Sequence, residues 1–340
     1  MKTGAARFMN QTGVGALISS WAGAKGVPFV ANYHRVVENF EESAKNSIPS
    51  MLVSRSMLEQ HLDWIGRRFR FVSLDELGER IGNKDGRGDP VAAVTFDDGY
   101  RDFYDHALPL LKQKGVPAAV FVVTDLVGTM RLQLHDKLYL LLSHRFRPNS
   151  GAPTPFQATR ALLENLTRAD LETLTRALEA DVSISEDVLQ PFHSLTWEML
   201  GEIHRAGMTV GSHGQSHALM TNESRQQVMR EAAVSRSELE ARLGTVVQHF
   251  AYPGGCFDDA AVEAVAAAGY RFAYTTCGHQ HASLPRLTIP RSVFWQNSSS
   301  DSHGRFSGAV LNCQINHAFS LLSGCRQRHG TGREHEHGRV

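Results

Sequence analysis

At 340 residues with 42% hydrophobic side chains, the chain can bury a large core, as one barrel-sized domain or as a domain with insertions. Lysine plus arginine equals aspartate plus glutamate at 35 each, so no whole-chain field favours nucleic acid or anionic lipid. Four cysteines without a Cys-x-x-Cys pair exclude a zinc framework; reduced thiols are expected, with a Cys256–Cys277 disulfide as the alternative.

Residues 1–26 place Lys2 and Arg7 ahead of a short stretch of small residues, Gly13 to Ala24. Its apolar core falls far below the ~20 residues that a spanning helix needs. The expectation is a poorly ordered or peripheral segment on a cytoplasmic chain with no transmembrane span, leaving peripheral membrane association and export open.

From Pro28 onward, short apolar runs alternate with helical patterns. Pro28 to Tyr33 reads as a strand, and Ser56 to Phe69 and Leu74 to Ile81 carry apolar residues at helical spacing. Val91 to Phe96 lacks alternation and is expected to be a strand buried on both faces. An amphipathic helix over Arg101 to Lys114, closed by Gly115, leads to a strand over Pro117 to Val123. Helix and strand then repeat: Trp197 to Ala206 with Met208 to Val210, Glu223 to Leu243 with Val247 to Ala251, and Asp258 to Ala268 with Phe272 to Thr275. This rhythm argues an α/β fold with a parallel sheet closed into a barrel, spanning 27–297.

Two segments break the rhythm. Residues 126–193 read as a mostly helical insertion over one side of the barrel mouth. The tail 298–340 opens on a serine run and ends rich in Gly, Arg and His, including His329, His335 and His337; it is expected to be disordered, with Ala309 to Leu322 able to form a short helix.

The chemistry concentrates at strand ends. Thr95-Phe96-Asp97-Asp98-Gly99-Tyr100 puts two carboxylates side by side where a strand meets a glycine turn. Like charges that close resist burial unless a cation or proton compensates. A strand would send the two side chains to opposite faces, whereas a turn can bring both toward one site. His213 and His217, four residues apart in a Gly/Ser-rich segment after another short strand, have the spacing of ligands converging on one metal. One Asp and two His would leave an open position for water, with the second Asp available to take its proton; the residues alone do not say which Asp does which. The donor set suits Zn²⁺ and also accepts Co²⁺, Ni²⁺, Fe²⁺ or Mn²⁺.

These same residues resemble the polysaccharide deacetylases, the chitooligosaccharide deacetylase homology domain. Thr95 to Tyr100 looks like their first motif, Ser212-His213-x-x-x-His217 like the second, and Phe250-Ala251-Tyr252-Pro253-Gly254-Gly255 like a divergent third. Asn32-Tyr33-His34-Arg35-Val36 resembles the opening of members whose motif order is permuted. The resemblance runs from about Val27 to Val293. It implies a distorted barrel of about seven strands with the active site at the strand C-termini. It implies Asp97 as catalytic base and Asp98, His213 and His217 as metal ligands. It also implies a backbone N–H at Gly254 as oxyanion donor, with Tyr252 beside it. The arginine that orients the base in the third motif falls on Ala251 here, so Arg291 or Arg35 is expected to replace it. The family usually draws its general acid from a Leu-x-His motif; here His34, at the end of the first strand, is expected to take that part, with His279 and His281 as alternatives. The implied substrate is an N-acetylated glycan or lipid-linked sugar. Two competing readings are a non-catalytic glycan-binding relic, suggested by the missing arginine, and an aspartyl-phosphate protein.

Overall fold

The computed structural model describes residues 28–82, 89–145 and 153–315. Eight strands form a parallel sheet in the order β10–β9–β8–β7–β6–β5–β1–β11. They are β1 Phe29–Tyr33, β5 Val91–Phe96, β6 Ala118–Val122, β7 Thr209–Ser212, β8 His249–Ala251, β9 Phe272–Thr275, β10 Ile289–Pro290 and β11 Ser292–Val293. A short ninth strand, β4 (Arg70–Phe71), pairs with the start of β5. The two end strands are consecutive in sequence: β10 pairs with β9, β11 pairs with β1, and Arg291 alone lies between them. The chain thus crosses the seam of a nearly closed barrel at one residue. Two further strands, β2 (Arg35–Val37) and β3 (Leu52–Ser54), form a small parallel pair outside it.

β5 is buried at all six positions, as its lack of alternation requires, because the inner and outer layers both cover it. Inward positions carry Val30, Ala93, Phe121, Ala251, Tyr274 and Ile289. Outward positions such as Val94, Val120 and Phe250 join the larger core beneath the helices, with Leu58, Leu111, Leu200, Leu239 and Val265. The helix Leu74–Gly82 packs on the inner cluster, where a Cβ at Gly78 would meet the Phe272 ring at 2.3 Å.

The helix expected over Arg101 to Lys114 is interrupted. Phe103–Ala107 is a π-turn, and α-helix resumes at Leu108–Lys114. Leu108 N–H reaches back to the Phe103 carbonyl, one residue farther than in an α-helix, immediately before Pro109, whose missing N–H already breaks the ladder. Between β6 and β7 lie the helices Leu134–Arg145, Pro155–Asn165 and Arg168–Glu179, packed through Leu134, Leu138, Leu162 and Leu171.

The disordered tail expected from residue 298 is corrected through Ile315. Ser299 is buried with its Oγ 2.5 Å from His61 Nε2, and the helix Gly308–Ile315 buries Val310, Leu311 and Cys313. Polar composition misled here because a few apolar side chains suffice to dock one turn-and-helix on an existing core. Residues 316–340, which include His329, His335 and His337, and the segment 1–26 lie outside the described residues. Among the described residues, no helix is long and apolar enough to cross a membrane, and Cys256, Cys277 and Cys313 are not in disulfides.

Candidate active site

The two-residue period of the strands assembles one side of the site. The parity that turns Val30, Ala93 and Ile289 inward also turns Asn32, Thr95 and Arg291 inward, and it continues past the end of β5 to Asp97. Gly211 and His213 share an inward parity on β7, where any Cβ at 211 would meet the Phe121 ring at 2.5 Å.

Asp97 is 3% exposed, and Arg291 grips it with both terminal nitrogens: Nη1 donates to Oδ1 at 2.8 Å and Nη2 to Oδ2 at 2.7 Å. Asn32 Nδ2 adds a bond to Oδ2 at 2.9 Å. The Asn32 carbonyl oxygen in turn accepts from Thr95 at 3.0 Å and from Arg291 at 3.2 Å. Burial by itself would raise the Asp97 pKa; the Arg291 charge, with help from His213, outweighs it and holds the carboxylate ionised. A carboxylate offers four lone-pair sites, and these three bonds fill one on Oδ1 and two on Oδ2. One acceptor position on Oδ1 is left, on a side chain that lines the cavity.

Asp98 is turned out of the strand parity by its backbone. It has φ 72°, and His217 has φ 64°; among the described residues these two alone have positive φ without being glycine. Such conformations cost of order 1–3 kcal/mol and persist only where the surroundings enforce them. Gly99 follows with φ 68°, where a Cβ would meet Val122 at 2.8 Å, so the turn that brings the second carboxylate around cannot carry a side chain there.

Asp98, His213 and His217 each bring one donor atom to a common point, all within 4.8 Å of one another. His217 Nε2 is 3.2 Å and His213 Nε2 3.5 Å from Asp98 Oδ1. His213 Nδ1 lies 2.7 Å from the Ala251 carbonyl, which can only accept, so Nδ1 carries the proton and Nε2 turns its lone pair toward Asp98. Burial pushes the His213 pKa down to about 4, which keeps the ring neutral as a ligand must be. Both Asp98 oxygens are buried and receive no hydrogen bond among the described residues. A dry carboxylate facing an imidazole lone pair is costly unless a cation lies between them, so the donor set fits a divalent metal. The loop from His213 to His217 is held from outside by the fully buried Glu231, whose carboxylate accepts from Ser216 N–H at 2.8 Å and Ser216 Oγ at 2.6 Å.

The remaining expected residues divide. His34 lines the same cavity as the two carboxylates, and its Nδ1 is buried without a hydrogen-bond partner among the described residues. Gly254 also lines it, with φ 63° and a Cβ position only 2.7 Å from Leu219. Tyr252 does not. Ala251 takes the inward position, so the Tyr252 side chain points outward into the core beside Phe250 and Phe257. Of the two replacement arginines, Arg291 reaches Asp97, whereas Arg35 is committed to Asp102 at 2.9 Å and Ser47 at 3.0 Å.

Sequence reasoning passed over Asn32 and three residues of the insertion. Gln133 Nε2 donates to the Asp98 carbonyl at 2.9 Å. His135 lines the cavity with its ring 5.2 Å from that of His217, and its Nε2 is 2.9 Å from Tyr100 Oη. Tyr100 gives its own proton to Asp136 Oδ2 at 2.5 Å, so His135 must be the donor in that pair. Single residues in such a segment carry no local signal of this.

Comparison with known proteins agrees with this architecture. The polysaccharide deacetylase family model matches residues 84–273, and the chain belongs to that family. YxkH of Bacillus subtilis (strain 168) is 20% identical over 228 residues, 67% of this chain and 60% of that protein, so the chain spans less than two thirds of this relative. The poly-β-1,6-N-acetyl-D-glucosamine N-deacetylase of Staphylococcus aureus (strain MSSA476) is 25% identical over 219 residues, 57% of this chain and 74% of that protein. Among solved structures, the Streptococcus pyogenes deacetylase PplD in complex with acetate superposes with TM-score 0.57 at 20% identity, covering 85% of this chain and 97% of that one. IcaB from Ammonifex degensii gives TM-score 0.54 at 19% identity, covering 85% and 96%. These two likenesses establish the shared barrel fold.

Proposed function

We propose that the protein is a metal-dependent hydrolase that removes N-acetyl groups from an amino-sugar-containing glycan. The observation that carries this reading is one cavity of about 500 Å³ lined by Asp97, Asp98, His213, His217 and His34. Asp98, His213 and His217 would hold the metal, Zn²⁺ best suiting one carboxylate and two imidazoles, with Co²⁺, Ni²⁺, Fe²⁺ or Mn²⁺ as alternatives. When bound, such an ion polarises the acyl oxygen and acidifies water.

Asp97 takes a proton on its remaining Oδ1 position as water attacks the acetamide carbon. The backbone N–H at Gly254 is suited to the oxyanion that appears only in the resulting tetrahedral species. The amine cannot leave as an anion, so His34 delivers a proton to the nitrogen while the C–N bond breaks, releasing acetate and the free amine. Arg291 and Asn32 act through Asp97 by fixing its orientation and charge. The relic reading rested on the missing third-motif arginine, and Arg291 supplies that guanidinium from the seam.

The test is acetate release from N-acetylated amino sugars by the purified chain and its Asp97→Asn variant, with bound metal measured in both. The reading predicts activity in the first, a loss on the order of 10²–10⁴-fold in the second, and equal metal content. Asp97→Asn without metal, or with full activity, contradicts the assignment.

A further inference from the structure

We propose that the amino sugar is presented to this site on an apolar chain attached through its glycosidic position, as in a lipid-carried sugar, and not as a bare polysaccharide. The proposal rests on the deacetylase reading above and names its substrate class. The cavity has two unlike halves. One is the polar constellation of carboxylates and imidazoles; the other is a wall that the helical insertion supplies, with Leu134, Leu163, Leu166 and Leu171. Leu219 and Trp295 continue that wall on the barrel side.

A glycan presents hydroxyls around every ring and is recognised by donors, acceptors and an occasional aromatic platform. Trp295 could serve as such a platform, but a row of leucines offers a sugar polymer nothing. Leu134 and Leu171 are largely buried in the insertion's own core, whereas Leu163 and Leu166 are only half-buried, and their area facing water is unfavourable in proportion to its size. Phe156, on the same insertion helix and lining the same cavity, is 39% exposed. Arg160 and Arg168 also line the wall, but Arg160 Nε is 2.6 Å from Glu164 and Arg168 Nε 2.8 Å from Glu172, so their charges are paired and the leucines set its character. The apolar wall and the Asp98-His213-His217 cluster share one continuous cavity. The occupant must therefore be a single molecule with an acetamide at one place and a hydrocarbon chain at another.

The test uses the full chain and two probes below their micellar concentrations: octyl and methyl 2-acetamido-2-deoxy-β-D-glucopyranoside, with a soluble β-1,6-linked N-acetylglucosamine oligomer as comparator. Each methylene leaving water is worth ~4-fold in affinity, so partial entry of the octyl chain predicts kcat/KM at least roughly tenfold above the methyl glycoside. In Leu163→Ser and Phe156→Ser the octyl-to-methyl ratio, read within each variant, should fall toward one. Equal rates on the two glycosides, or the oligomer exceeding the octyl glycoside, overturns the proposal. Binding is read in parallel from tryptophan fluorescence. If no probe releases acetate yet the octyl glycoside binds at least roughly tenfold tighter and Leu163→Ser removes that margin, the deacetylase reading fails and the apolar-chain site stands. No difference in binding overturns the site whatever the turnover.

Discussion

Replacing Arg291 by Met tests how the buried base is held. Asp97 and Arg291 form an ion pair at 2.7 Å, with side-chain exposures of 3% and 0%, and Arg291 also bonds Asn32 and Thr95. Solvent cannot take over the role of either partner. Arg291→Met leaves an ionised carboxylate dry, with only the Asn32 amide bonded to it, and should cost about 3–5 kcal/mol of stability. Asp97→Asn alone strands the guanidinium instead, although Thr95 and the Asn32 carbonyl still accept from it, so its cost should be smaller. The double variant carries neither orphan charge. Its cost should fall short of the sum of the singles by about 2 kcal/mol or more, within the range that contacting residues show in such cycles. Denaturant unfolding of the four proteins under metal-free conditions measures this, with the slope checked for constancy. Additive costs, agreeing within about 0.5 kcal/mol, would refute the claim that the pair is a single unit, and a stable Arg291→Met chain would remove its importance altogether.

Other outcomes follow from separate parts of the molecule. His61 is buried between Tyr33 and Ser299, and burial pushes its pKa down to about 3. The unfolded chain binds the extra proton first, so this group's contribution to stability is intact above about pH 6.5 and is lost as pH falls toward 3. His61→Gln, if it keeps one of the two hydrogen bonds, should flatten that acid limb in pH-dependent melting; an unchanged limb would show that other groups dominate. Ending the chain at residue 297 removes the buried Val310, Leu311 and Ser299. At ~1.5–3 kcal/mol per large apolar side chain, thermal unfolding should shift down clearly, and an unshifted transition would contradict the docked tail. Gly254→Ala places a Cβ against Leu219 at φ 63°, a conformation costing about 1 kcal/mol for an L residue. It should lower kcat more than it raises KM, and a pure KM effect would remove Gly254 from the oxyanion site.

What was legible in the sequence follows the range over which each signal acts. Asp97, Asp98, His213 and His217 announce themselves because local spacing and a glycine turn are enough to converge ligands. The turn's positive φ at Asp98 is the physical form of that convergence. The strand–helix rhythm gave the barrel because the two periods differ plainly. Arg291 could be named only as one of two candidates, since choosing it requires knowing that β10 and β11 lie on either side of a seam one residue wide. Motif adjacency also says nothing of strand parity, which sends Ala251 inward and the Tyr252 side chain outward. Gln133 and His135 reach the site from an insertion whose tertiary position no local pattern encodes.

The most direct test of the central claim is acetate release from N-acetylated sugars, followed in one sample through chelation and re-addition of Zn²⁺. The site around Asp98, His213 and His217 predicts that release stops when the metal is withdrawn and returns when it is restored. Release that continues unchanged through chelation would contradict a metal-dependent deacetylase at this site.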